Sequence, residues 1–336
     1  MLEYQNVREV HIELSSECNA SCPLCPRNYF GYPHNGGYPE HSMTLDEAKQ
    51  LFQPEFIAQL DKLLVNGNYG DFVMNPHSID ILRYFREHNP DLLITVSTNG
   101  AARSAEFWTA LANMNCDVYF CIDGLEDTHS MYRMNTLYST VIRNALTFIN
   151  AAGGRASWKF IVFDHNRHQI DEARRRSEEL GFDAFYLSDT GRDIGWAFDK
   201  RGQLLHTIGA VEPVTFNKIW PLKSFANIEK ELGAHQHYRK DTICCETKER
   251  RTIYVNSIGE VYPCCYMGFS PRTYGLGRIQ EITNSQIQPL MQPNNALQLG
   301  IEQSMQWFDN IPAGWQPDRF DQGRLLVCDM HCGKNL

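Results

Sequence analysis

Apolar residues in this chain fall into short, β-branched runs that alternate with longer stretches of helical period. The first run is Val10-His11-Ile12-Glu13-Leu14. Thr44-Leu45-Asp46-Glu47 has the form of a capping box and opens an expected helix that reaches about residue 60. Residues 62–65 read as a strand, 77–88 as a helix stopped by Asn89-Pro90, and 92–97 as a β-branched strand. Ser104 is expected to cap a helix to about residue 113, followed by a strand over 117–122 and a helix over 137–150. A strand over 157–163 leads to a helix over 167–180, with Asn166 as its cap and Gly181 closing it; 182–187 is a sixth strand. Six strands alternating with helices predict an α/β domain of TIM type, a partial barrel with a parallel sheet and right-handed crossovers. Polar Gly/Asn/Asp segments follow strand after strand, on the edge where α/β folds bind ligands.

Past residue 188 that rhythm stops. The segment Thr190-Gly-Arg-Asp-Ile-Gly-Trp196, with His206, His235 and His237, reads as a surface insertion, with the lining of a substrate site as the alternative. From Cys244 onward, 251–256 and 260–263 joined through Ser257-Ile258-Gly259 read as a β-hairpin. The expected organisation is therefore a barrel over 1–190, a linker or insertion over 191–243, and a small hairpin-bearing module over 244–336.

At 336 residues, 43% hydrophobic and 21% charged, the chain has an ordinary globular composition with room for about two domains. A formal net charge of −9 leaves no basic footprint and disfavours nucleic acid as a partner. The start has no apolar signal region and no stretch is long enough for a membrane span, so the expected compartment is the cytoplasm, without a membrane partner. Eleven cysteines then point to metal ligation rather than disulfides. They gather at the two ends: 18, 22 and 25, then 116 and 121, then 244, 245, 264, 265, 328 and 332. Cys116 and Cys121, in or beside an apolar strand, read as buried thiols.

Cys18-Asn-Ala-Ser-Cys22-Pro-Leu-Cys25 places three thiols, spaced C-x3-C-x2-C, on one short loop. Three thiolates can hold three irons of a cubane cluster and leave the fourth open to a small molecule, whereas a structural site is closed by four protein ligands. Zinc completed by His34 or His41 is the alternative.

The triplet directly after a first strand resembles the radical SAM superfamily. In that family the open iron chelates the amino and carboxylate groups of S-adenosylmethionine (SAM), and reductive cleavage of the sulfonium gives the 5′-deoxyadenosyl radical. Its core is a partial (β/α)6 barrel. Asn66-Gly67-Asn68-Tyr69-Gly70-Asp71 matches the position of the family's "GGE" segment, with Asn where the second Gly is usual and Asp71 at the acidic position. Ser97-Thr98-Asn99-Gly100 matches the "TNG" region that contacts ribose and methionine. Cys121-Ile122-Asp123-Gly124 matches "SxDG" with Cys121 in place of Ser, and His129-Ser130-Met131-Tyr132-Arg133 matches "HxxYR". The resemblance thus implies a [4Fe–4S] cluster on Cys18, Cys22 and Cys25. It also implies SAM contacts from Asn66, Gly67, Asn68, Gly70, Asp71, Ser97, Asn99, Asp123 and Arg133. Leu24 stands where the family tends to place an aromatic against adenine, which leaves that contact to Tyr29 or Phe30. No acid or base is assigned; Cys121, Tyr132, Asp189 and Arg192 are candidates for the substrate side.

Cys244-Cys245 precedes the expected hairpin, Cys264-Cys265 closes it, and Cys328 and Cys332 come some sixty residues later. This layout resembles the SPASM/twitch extensions of radical SAM enzymes, in the shorter form with one auxiliary [4Fe–4S] cluster. Cys245, Cys264, Cys328 and Cys332 are the expected ligands, with Cys244 and Cys265 as alternates; zinc on the same thiols shares the spacing. The implied activity is hydrogen abstraction from a peptide, protein or small-molecule substrate, with a flavodoxin- or ferredoxin-type electron donor. The auxiliary cluster would assist oxidation or substrate binding. A chain starting at strand one lacks the winged-helix domain of many peptide maturases, and its end lacks the Gly-Gly tail of the molybdopterin-pathway relatives. The alternatives are a non-catalytic Fe–S or SAM-binding regulator and a zinc-stabilised binding protein.

Overall fold

In a computed structural model of the chain, the described residues are 1–25, 27–33, 38–151, 153–188, 195–209, 213, 242–269, 285–291, 293–317 and 322–334. His34, Asp189, Thr190, Arg192, His235 and His237 lie outside the described residues.

The six expected strands are present: β1 (Glu9–Ile12), β2 (Lys62–Val65), β3 (Leu93–Thr98), β4 (Asp117–Cys121), β5 (Arg155–Ile161) and β6 (Ala184–Ser188). They pair side by side in sequence order and all in parallel. Between them run α1 (Leu45–Leu51), α2 (Pro54–Ala58), α3 (Ser78–His88), α4 (Ala105–Ala112), α5 (His129–Tyr132), α6 (Tyr138–Asn150) and α7 (Ile170–Glu179). Successive strand residues point to opposite faces. Val10, Ile12, Leu63, Val65, Ile94, Val96, Val118, Phe120, Trp158 and Phe160 join the main hydrophobic core with the helices. The alternate positions His11, Thr95, Ser97, Tyr119, Cys121, Ser157 and Lys159 give the other face a polar lining. A parallel sheet covered on both faces is apolar on both, and this alternation, with its polar inner face, departs from that pattern.

Local chemistry explains where the elements stop. The capping box forms as expected: the Thr44 hydroxyl accepts from the Glu47 amide, and the Glu47 carboxylate accepts from the Thr44 amide. The helix it opens ends at Leu51, because Pro54 starts a new one at its N1 position and cannot continue the old ladder. Asn166 does not cap α7. Its amide instead donates to the Ile161 and Asp123 carbonyls and accepts from the Phe163 amide, bracing the ends of β4 and β5.

The sheet is wider than six strands. β7 (Thr252–Val255) lies parallel to the free edge of β1, with Glu9 opposite Thr252 and Ile12 opposite Val255. β8 (Val261–Tyr262) completes the expected hairpin. The order is β8-β7-β1-β2-β3-β4-β5-β6, an open sheet rather than a closed barrel. An unpaired edge of β1 would leave backbone donors and acceptors without partners, and β7 satisfies them. The Arg250–Glu9 ion pair at 2.8 Å fixes the register at its start. A further hairpin, Gly195–Phe198 with Leu204–Ile208, is tied to the N-terminal region by the Phe198 amide donating to the Phe30 carbonyl. Among the described residues no helix is long and apolar enough to cross a membrane.

Candidate cofactor site and thiol pocket

The loop after β1 carries Cys18, Cys22 and Cys25 to the C-terminal edge of the sheet. The Cys25 amide donates to the Cys22 carbonyl and the Ala20 amide to the Cys18 sulfur, a tight local wrap. Ala20 and Cys22 are buried with Tyr132, Ile161, Phe163 and Ile208, and Cys18, Leu24 and Cys25 pack against that group. Burial pushes the Cys22 thiol up to about 11, with the Arg133 guanidinium pulling the other way, and burial raises Cys18 as well. Thiols in such surroundings become thiolates when a cation takes the proton's place, which is the chemistry of a metal-ligand set. His41, a potential zinc ligand, is turned to Glu47 Oε2 at 3.1 Å instead.

Two of the expected contact residues reach these sulfurs. Asn99 Nδ2 lies 3.6 Å from Cys18 Sγ and donates to Asn19 Oδ1 at 2.9 Å. Arg133 Nη1 lies 3.8 Å from Cys22 Sγ while its Nε donates to Asp123 Oδ2 at 2.6 Å. Asp123 is fully buried, and its other oxygen accepts from the Ile161 amide at 2.6 Å. A buried carboxylate held by a guanidinium and a backbone amide is a satisfied ion pair, and it fixes the guanidinium against the cysteine loop.

The 66–71 loop is shaped for close approach. A Cβ at Gly70 would sit 1.9 Å from the Ser15 carbonyl, and one at Gly67 would sit 2.3 Å from the Gly70 carbonyl. The Asp71 amide donates to the Glu17 carbonyl at 2.8 Å, so the loop lies directly on the start of the cysteine loop. Asp71 itself is committed: Oδ1 accepts from the Thr98 hydroxyl and the Val73 amide, and Oδ2 accepts from the Asn99 amide at 2.7 Å. It ties the 66–71 loop to Asn99. Asn66 is held through its carbonyl to His11 Nε2 at 2.7 Å, and the Asn68 amide points away, to the Cys265 carbonyl.

Ser97 and Cys121 meet at 3.5 Å on the inner face of β3 and β4. Tyr132 is buried against Phe163, ring centroids 4.4 Å apart, and forms wall rather than free surface. Tyr29 is buried beside Phe30, whose ring meets Trp196 edge-on at 5.2 Å. Gly195 abuts Leu24, where a Cβ would come within 2.5 Å of its side chain, so this group closes one flank of the cysteine loop.

Sequence reasoning missed Glu13. This fully buried carboxylate accepts from the Tyr69 and Gly70 amides at 2.7 and 2.8 Å and from the Tyr254 hydroxyl at 2.8 Å. Burial raises it to about 7 despite those donors. The available signal was a charged residue inside an apolar run.

The C-terminal thiols gather in a second place. Cys245, Cys264, Cys328 and Cys332 line one pocket with Pro263, Met267 and His331, whereas Cys244 and Cys265 do not line it. Burial raises Cys264 and lifts Cys328 to about 12, and the neighbouring thiols add to both shifts. The Tyr266 ring stacks on His331 at 3.7 Å over one side. Among the described residues no three His, Cys, Asp or Glu side chains converge on one point as the ligands of a single ion do. A cluster makes a different demand, since each thiolate binds its own iron and the ligands stand around a volume.

No protein-family model matches the sequence, and no curated protein matches it. Solved structures do. SuiB from Streptococcus suis, bound to S-adenosylmethionine, matches with a TM-score of 0.53 and 14% identity over 80% of this chain and 61% of that one. The structure of anSMEcpe with AdoMet and the Cp18Cys peptide matches with a TM-score of 0.54 and 13% identity over 96% of this chain and 89% of that one. The chain therefore spans less than two thirds of SuiB and most of anSMEcpe. Both were solved with S-adenosylmethionine bound, and their fold is the fold of this chain.

Proposed function

We propose that this protein is a radical SAM enzyme acting on a peptide or protein, or on a small molecule, with a second cluster in its C-terminal pocket. The observation that carries the reading is the convergence of Asn99 and Arg133 on the Cys18 and Cys22 sulfurs, at the ligand-binding edge of a sheet of the radical SAM type. Cys18, Cys22 and Cys25 would hold a [4Fe–4S] cluster with S-adenosylmethionine at its open iron. Together these would supply reductive cleavage of the sulfonium to a 5′-deoxyadenosyl radical, with a flavodoxin- or ferredoxin-type donor as electron source.

The chain's own residues do the positioning. The 66–71 loop and the Ser97–Asn99 segment form the SAM-binding side, with Asp71 holding them in mutual register. Arg133, anchored by Asp123, presents positive charge beside the cysteine loop and suits the SAM carboxylate. The inner-face residues Tyr119, Cys121, Ser157 and Lys159 would receive the substrate. The apolar group Leu24, Tyr132, Ile161, Phe163 and Ile208 keeps water from the thiols. A peptide substrate is favoured by the relatives of this fold that carry peptides, SuiB with SuiA and anSMEcpe with Cp18Cys. In the same reading 1–190 is the catalytic core and 244–336 the auxiliary module. Cys245, Cys264, Cys328 and Cys332 are its cluster ligands, and the protein works in the cytoplasm.

The test is iron, sulfide and zinc content after anaerobic reconstitution, with 5′-deoxyadenosine formation from SAM. About eight irons per chain, falling to about four in Cys18/Cys22/Cys25→Ala, supports both clusters. Four irons with one zinc would make the C-terminal pocket a structural site. A reduced, iron-loaded protein that forms no 5′-deoxyadenosine would be a non-catalytic binder.

A further inference from the structure

The 66–71 loop and the C-terminal thiol pocket are joined by direct contacts. Asn68 Nδ2 donates to the Cys265 carbonyl at 2.8 Å, and the Tyr69 hydroxyl donates to the Phe269 carbonyl at 2.8 Å. Both acceptors belong to α8 (Cys265–Phe269), the helix that begins one residue after the pocket-lining Cys264. Phe269 is the last residue of α8, and its carbonyl accepts from the Tyr69 hydroxyl. The Tyr69 ring is sandwiched between Phe269, at 5.6 Å, and Tyr38, at 4.1 Å, both nearly parallel to it.

A second connection runs beneath the first. Gly268 of α8 lies so close to Tyr254 that a Cβ would sit 2.4 Å from its ring. The Tyr254 hydroxyl donates to Glu13, and the other oxygen of Glu13 holds the Tyr69 and Gly70 amides. The helix thus grips the loop from above through Asn68 and Tyr69 and from below through Tyr254 and Glu13.

We propose that Asn68 and Tyr69 are positioning residues that carry the state of the C-terminal thiol pocket to the 66–71 loop, so that a loaded pocket raises the affinity for S-adenosylmethionine. The inference rests on the reading of 66–71 as part of the SAM site. Loading fixes Cys264 relative to Cys245, Cys328 and Cys332, which fixes the start of α8. A fixed α8 holds the loop directly through two hydrogen bonds and the Phe269–Tyr69 ring contact, and indirectly through the three hydrogen bonds that link Tyr254, Glu13 and the Tyr69 and Gly70 amides. Without that anchor the same contacts must first order the helix, and the ordering cost is taken from SAM binding. Linkage makes the effect reciprocal: SAM must raise the affinity of the C-terminal pocket for what loads it by the same factor, and in doing so it slows exchange over α8.

The experiment uses the full chain, reconstituted anaerobically, as wild type, Asn68→Ala/Tyr69→Phe, Cys328→Ala/Cys332→Ala, and the combination of all four changes. Radiolabelled SAM gives the dissociation constant by equilibrium dialysis, and amide hydrogen exchange follows residues 265–269 with and without SAM. Loss of two hydrogen bonds is expected to weaken SAM binding by about tenfold. The same variant should abolish the slowing of exchange over 265–269 that SAM produces in the wild type. The cysteine variant should weaken SAM binding comparably, and the combined variant by less than about twofold more than either pair, because the two pairs act along one path.

Wild-type affinity in Asn68→Ala/Tyr69→Phe, or pair effects that simply multiply, would overturn the coupling while leaving SAM binding in place. A wild type that binds no SAM would overturn the reading of the N-terminal site, and the coupling with it. If the cysteine variant does not fold, the exchange readout on Asn68→Ala/Tyr69→Phe decides alone.

Discussion

Tyr254 and Glu13, 241 positions apart, meet through a 2.8 Å hydrogen bond in the fully buried seam between β1 and β7. That carboxyl is raised from 4.5 to about 7, with burial as the main cause. A group whose folded value lies above its unfolded one adds stability that is fully present below the unfolded value and is lost as pH rises through the folded one. The window here is therefore about pH 4.5 to 7, with a span of order 3 kcal/mol. Glu13→Gln keeps the shape and removes the titration. Urea unfolding at pH 5, 7 and 9 should show a stability slope flatter than wild type by that order, and an unchanged slope would count against a neutral Glu13.

Gly70 is the point where the 66–71 loop rests on the cysteine loop. Gly70→Ala would place a methyl carbon 1.9 Å from the Ser15 carbonyl, and backbone on both sides leaves no flexible side chain to move aside. The loop must lift, at a cost of about 1–3 kcal/mol in stability. Calorimetry should find SAM binding to the reconstituted protein weakened by at least about tenfold, the equivalent of one such loss. Wild-type affinity in this variant would mean that the loop need not touch the cysteine loop.

Much of this architecture was legible because it is local. The strand over 62–65 and the Thr44–Glu47 capping box match residue for residue, since period-two patterning and cap chemistry are written within a few positions. The break at Pro54 was equally local, and the helical pattern was read through it. The pairing of β7 with β1 was not legible. Thr252-Ile253-Tyr254-Val255 is buried throughout, and an apolar run says that it will be covered without naming the neighbour. At the site, the order of motifs along the chain placed Asn99 and Arg133 at strand ends, and the fold sets them beside the Cys18 and Cys22 sulfurs. The aim of Asn68 escaped because a side chain turns toward what the tertiary fold supplies, and the Cys265 carbonyl lies 197 positions away.

Arg133 and Asp123 form a pair that differs from the surface salt bridges of α7. Arg175 and Arg176 bond Glu172 on an exposed helix face, where such pairs contribute little. Asp123 is fully buried, so Arg133→Met leaves an uncompensated charge at a cost of about 3–5 kcal/mol. Asp123→Asn/Arg133→Met removes both charges and should recover part of that loss. Arg133→Lys keeps the charge without the planar fork that reaches Asp123 and Cys22 together, and should fall between wild type and Arg133→Met. Urea denaturation of the four proteins ranks them, and a double variant no more stable than Arg133→Met would show that the ion pair is not the source of the loss.

The adjacent cysteine pairs give the sharpest discrimination. Cys245 and Cys264 face the shared pocket with Cys328 and Cys332, while Cys244 bonds Cys332 through its backbone amide and Cys265 heads α8 with its carbonyl on Asn68. Single substitutions of Cys245, Cys264, Cys328 or Cys332 by alanine are expected to lower iron content by up to about four per chain and leave the N-terminal cluster intact. Cys244→Ala and Cys265→Ala should keep the wild-type content, because neither replaces an atom that lines the pocket. Iron and sulfide analysis with electron paramagnetic resonance separates the outcomes. Loss of iron in Cys265→Ala with retention in Cys264→Ala would exchange the two roles. It would require α8 to turn its first residue inward, breaking the Asn68 hydrogen bond.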